Sequence, residues 1–65
     1  MNTVTLRLAG GTVFAGLGDA TLPVMEDVEA MAEALLAGER VRCANDRTLV
    51  GQVRRAIGER LASHS

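Results

Sequence analysis

Between Thr3 and Leu17 every second residue on either side of Gly10-Gly11 is apolar, and the positions between them are Thr, Arg or Gly except for Ala9 and Phe14. Val4, Leu6 and Leu8 precede the glycines, and Val13, Ala15 and Leu17 follow them. Side chains point to opposite faces along a strand, so the pattern predicts strands over residues 3–9 and 12–17. A two-residue turn joins them, and glycine suits it by tolerating positive φ. Setting Ala9 opposite Thr12 places Leu8 beside Val13, Leu6 beside Ala15 and Val4 beside Leu17, all on one face. A one-residue slip would scatter this set over both faces, so the pattern specifies the register. The same register puts Arg7 across from Phe14 on the other face, where the guanidinium can cover the ring.

Beyond Leu17 two readings stand. Gly18-Asp19 suits a second tight turn, and folding back there sets Leu17 against Ala20, Ala15 against Leu22 and Val13 against Val24. Residues 20–24 would then form the edge strand of a meander, a position where Pro23 loses no ladder hydrogen bond. Alternatively the segment is a connecting loop.

Val28, Met31, Ala32, Leu35 and Leu36 recur at helical spacing, and Gly38 stands where a helix stop belongs. They predict a helix over about residues 25–37. Val41 and Cys43 alternate with Arg40 and Arg42, which reads as an extended segment over 40–44. Asn45-Asp46 supplies a helix cap, and Leu49, Val50, Val53, Ile57 and Leu61 make an apolar stripe, predicting a second helix over about 46–63. Gly51 and Gly58 fall close together on its polar side. Each costs ~1 kcal/mol against alanine, so the pair implies either tolerance or the close approach of another backbone.

The expected fold is a single α+β domain over residues 1–65. It has an antiparallel hairpin or three-stranded meander, followed by two amphipathic helices joined by a short extended segment. Val4, Leu6, Leu8, Val13, Ala15 and Leu17 are expected to meet Val28, Met31, Leu35, Val50, Val53, Ile57 and Leu61 in one core.

Size changes this picture. A chain of 65 residues buries only ~60% of the surface its unfolded form exposes. Cys43 is the only cysteine, so no intrachain disulfide and no Cys/His zinc site can reinforce the fold. A neighbouring chain, either a second copy or another protein, is the expected source of further stability. No run of ~20 apolar residues exists to span a membrane. The single free cysteine and the absence of a basic, then apolar, N-terminal segment lead to an expectation of a reducing, cytoplasmic setting.

Charge is divided by position. Through Glu39 one arginine, Arg7, stands against Asp19, Glu26, Asp27, Glu29, Glu33 and Glu39, a net of −5. From Arg40 onward Arg40, Arg42, Arg47, Arg54, Arg55 and Arg60 stand against Asp46 and Glu59, a net of +4. Glu26, Glu29 and Glu33 line the first helix away from its apolar stripe, and they should attract arginines from the basic half.

Convergent reactive groups are scarce. His64 lies near the end of the chain, Cys43 shares a face with Val41, and the acids of the first helix have no His or Asn neighbours to complete a metal site. Neither Gly10-Gly11 nor Gly16-x-Gly18 opens a helix after a strand, as a phosphate loop would. No catalytic residue, cofactor or metal is therefore expected. The expected function is a non-enzymatic protein-interaction module, either a homo-oligomeric assembly subunit or a small adaptor or inhibitor of another protein. Its interaction residues would be Phe14, Arg7, Glu26, Glu29, Glu33, Arg47, Arg54, Arg55, Gly51 and Gly58. A nucleic-acid-binding regulator that uses the C-terminal arginines is the first alternative, although no aromatic accompanies them to stack a base. A small-ligand-binding oligomer is the second.

Overall fold

A computed structural model describes residues 2–63, so His64 lies outside the described residues. Strands β1 (Thr3–Ala9) and β2 (Thr12–Leu17) form the hairpin. Its register pairs Val4 with Leu17, Leu6 with Ala15, Leu8 with Val13 and Ala9 with Thr12, as the alternation requires. Gly10 and Gly11 make the turn with φ of 58° and 80°. Positive φ at both central residues gives the turn a twist that matches its strands.

The expected continuation into a meander does not form. The chain leaves β2 at Gly18, crosses the sheet face opposite the helices, and enters β3 (Val24–Met25). β3 then pairs in parallel with β4 (Val41–Ala44), giving the strand order β2-β1-β4-β3. The crossing is held from below. The Asp19 amide donates to Thr5 Oγ1 at 2.7 Å, and Arg42 Nη1 donates to the Leu22 carbonyl at 3.2 Å. Asp19 also organises its own turn, accepting from the Thr21 amide at 2.9 Å and the Thr21 hydroxyl at 2.6 Å. These bonds draw residues 19–22 over β1 and β4, and among the described residues no strand pairs with the outer side of β2. Thr5 is buried beneath them, only 8% exposed.

The extended segment after Gly38 thus becomes an inner strand, β4, antiparallel to β1 with Val4 opposite Cys43 and Leu6 opposite Val41. Helix α1 (Val28–Leu36) connects β3 to β4, so the second half of the sheet is a βαβ unit. The helix starts later than the apolar spacing suggests, because Met25 is spent in β3 and Asp27 is the N-cap, accepting from the Glu29 amide at 3.1 Å. It stops at Gly38, with φ of 87°. There the Gly38 amide donates to Leu35 O and the Glu39 amide to Ala34 O, each at 3.0 Å. This paired bonding satisfies carbonyls that the helix end would leave open.

Helix α2 (Arg47–Ser63) starts on Asp46, which accepts from the Thr48 amide at 2.9 Å and the Leu49 amide at 3.3 Å. Both helices cover the same sheet face. Leu6, Val13, Val41 and Cys43 from the sheet meet Met31, Ala32, Leu35, Val50, Val53 and Ile57. Three residues expected in this core lie outside it. Ala15 is exposed, Leu61 is only partly covered, and Leu17 is 96% exposed, because the helices reach β1 and β4 but not the end of β2.

Candidate functional site

The open side of β2 follows directly from the strand order. β1 occupies one side of β2, and the crossing removes the strand that could have covered the other. An uncovered edge is a liability that folded proteins usually blunt. Here the blunting is partial: Arg54 reaches from α2 and donates through Nε and Nη2 to the Val13 carbonyl, at 3.4 and 3.2 Å. Farther along, nothing comparable guards Ala15 or Leu17 among the described residues.

Between this edge and α2 lies an open groove of about 400 Å³. Val4, Ala15 and Val50 form its apolar part, and Asn45, Arg47 and Arg54 its polar rim. Arg47 stands in the first turn of α2, so its charge adds to the positive end of the helix dipole. On the opposite face of the sheet, Arg7 lies 4.9 Å from the Phe14 ring centroid, which joins the two residues as their register predicts. Phe14 nevertheless remains 45% exposed. Thr5, Gly16, Leu17 and Arg40 complete a second depression around this pair, of about 320 Å³. Leu17 therefore stands at the end of an edge strand with a cationic hollow on either face.

The acidic stripe has a different role. Arg60 bonds to Glu29 and lies 4.0 Å from Glu33, so two of the three expected acids do meet an arginine of the basic half. The exposed Glu26 sits between β3 and the Asp27 cap and takes no part in that pair. Arg40 pairs instead with Asp19 at 3.0 Å, tying the crossing segment to the approach to β4. Hydrogen bonds from Thr21, reinforced by Arg40, hold the Asp19 carboxyl below the usual carboxylate range. The ion pairs among the described residues engage Arg40 and Arg60, while Arg7, Arg47, Arg54 and Arg55 are in none. Most of the positive charge left without a carboxylate thus borders β2 and α2.

Cys43 is fully buried, and burial, aided by the Asp46 carboxylate, raises its thiol pKa. A nucleophilic cysteine needs the reverse, a stabilised thiolate open to solvent. Among the described residues no three His, Cys, Asp or Glu side chains gather as metal ligands, and no helix is long and apolar enough to cross a membrane.

Gly51 and Gly58 meet no close backbone, since a Cβ at either would find nothing within 4 Å. Alanine at each should therefore raise stability by about 1 kcal/mol, the ordinary helix-interior gain. Thermal melts should read this as an increase of about 4–8 °C per substitution. An unchanged or lower melting temperature would mean that the free chain uses that surface.

Of the residues expected to interact, Phe14, Arg7, Arg47 and Arg54 all come to the two faces of β2. Arg55 lies farther around α2 with Thr48, Gly51 and Gln52. Leu17 and Asn45 join the four at β2 without a signal of their own in the sequence. Leu17 reads as a core residue by alternation, and only its position beyond the helices reveals its exposure. No known protein family, no curated protein and no solved structure matches this chain.

Proposed function

We propose that this chain is a non-enzymatic protein-interaction module that works through the β2 edge and the adjoining face of α2. One observation carries the reading: Leu17 is 96% exposed on a strand whose outer side pairs with no other strand among the described residues, next to a half-exposed Phe14. An apolar strand edge of this kind favours association with another polypeptide, because main-chain hydrogen bonds and apolar burial act together there. The partner is a second copy in an assembly subunit, or a different protein if the chain acts as an adaptor or inhibitor.

A photoreactive amino acid at Leu17, compared with one at the exposed Gln52, tests the reading in the cell of origin. The expected result is a discrete protein adduct from position 17 that position 52 does not yield. Light-scattering mass of the purified chain at low and physiological salt then separates self-association from capture of another protein. A monomeric chain with no protein adduct at position 17 overturns the proposal.

One observation favours a second reading. Arg47, Arg54 and Arg55 lie on one helix outside every ion pair among the described residues, so they could meet phosphates. A nucleic-acid binder would lose affinity steeply with salt, with a slope shallower by about one for each phosphate contact removed. The aromatic available for stacking, Phe14, lies on the opposite face of the sheet beneath Arg7.

A further inference from the structure

We infer that the groove between β2 and α2 receives an extended, acidic segment of another protein, which adds to the sheet as a strand along β2. The inference rests on the interaction reading above and specifies the partner's chemistry.

The backbone provides the first part of the argument. Arg54 meets the Val13 carbonyl on the outer side of β2. Backbone groups alternate in direction along a strand, so those of Ala15 and Leu17, two and four residues on, face the same open side. Arg54 caps one end of this row and leaves a short stretch for a new strand. Main-chain hydrogen bonds to such a row give affinity, while alternate side chains of the added segment set specificity.

Charge selects the occupant. Side chains that the added strand directs toward α2 would meet Arg47 and Arg54 at the groove rim. Asp46, the acid adjoining Arg47 in the chain, is already engaged by the Thr48 and Leu49 amides. Glutamates can lay their stems over the apolar floor and carry their carboxylates to these guanidiniums, a geometry that arginine favours. Side chains directed to the other face lie beside Phe14, where Arg40 is already paired with Asp19 and Arg7 lies over the ring, so apolar residues fit there. The expected ligand therefore alternates acidic and apolar residues.

The same charges disfavour a second copy. Pairing two β2 edges across a two-fold axis would bring Arg47 and Arg54 of both chains to one seam, and like charges in register oppose association.

The test uses the full chain, isotopically labelled, and blocked peptides of the length of β2 that alternate valine with glutamate. Titration should shift the amide signals of Ala15 and Leu17 and slow their hydrogen exchange. Lysine in place of glutamate, Arg47→Glu in the protein, or N-methylation of the peptide amides that face β2 should each weaken binding by about tenfold or more. Arg47→Glu places an acid in the first turn of α2, which suits the helix dipole, so this variant should keep the fold. Equal binding of acidic and basic peptides overturns the charge argument, and binding that leaves Ala15 and Leu17 exchange unchanged overturns strand addition. If no peptide binds while the chain self-associates with protection of the same amides, this inference fails and the interaction reading stands. If no peptide binds, the chain is monomeric and position 17 yields no adduct, both fail.

Discussion

Replacing Leu6 with alanine should remove about 2–5 kcal/mol, the usual cost of deleting a buried leucine side chain and leaving a cavity. Leu6 is fully buried on the inner strand β1, between Ala15 of β2 and Val41 of β4, beneath the helices. A domain of this length has only about 3–10 kcal/mol in total, so the substitution should remove a large share of it. Thermal melts should show a loss of about 10 °C or more, and part of the population should be unfolded before heating begins. Leu17→Ala is the matched comparison. It deletes the same atoms on the same sheet face, but from a side chain that is 96% exposed. Its effect on the free chain should stay within about 0.5 kcal/mol. Equal losses for the two variants would mean that Leu17 is covered in solution, and would place the interface of a self-assembled form at β2.

Gly18→Ala should cost about 1–3 kcal/mol, the range for forcing atoms into occupied space. A Cβ at Gly18 would stand 3.0 Å from the Thr3 carbonyl oxygen and still closer to the Thr3 hydroxyl. Thr3 cannot simply turn away, because its hydroxyl accepts from Arg42 Nε at 3.0 Å. The strain falls where the chain leaves the hairpin, just before the Asp19 amide reaches Thr5. Hydrogen exchange should therefore quicken at Asp19 and Leu22 more than at the strand amides. The contrast with Gly51 and Gly58, where alanine should stabilise, separates close approach from open helix surface. If all three substitutions stabilise, the crossing does not pack against Thr3 as described.

Local features were legible because their causes lie close together in the chain. The hairpin register follows from alternation around two glycines, and the cation–π pair of Arg7 and Phe14 follows from that register. Asp46 and Gly38 bound their helices through hydrogen bonds within a few residues. The attraction of the acidic helix for the basic half was readable as charge, although the arginine that answers Glu29 and Glu33 is Arg60 in particular. The candidate site was legible in part. Its arginines and Phe14 stood out by type, whereas Leu17 did not, since nothing in a period-two pattern says where the covering helices end.

From the sequence alone come the face each residue of β1, β2 and β4 occupies, the start of α2 and the stop of α1, and the division of charge into an acidic front and a basic back. All of these depend on backbone geometry over a few residues, or on composition. The tertiary structure decided which strands are neighbours. The apolar residues at 20, 22 and 24 fit β2 in register, yet the chain crosses the sheet and places β3 beside β4. Alternation gave the faces of β1, β2 and β4 but is silent about which edge a strand joins, and in β3 it is Met25 rather than Val24 that turns to the core. That choice was made by contacts between segments far apart in the chain: Asp19 with Thr5, Arg42 with Thr3 and Leu22, and Arg40 with Asp19. By drawing the chain to the far edge, those contacts left β2 open.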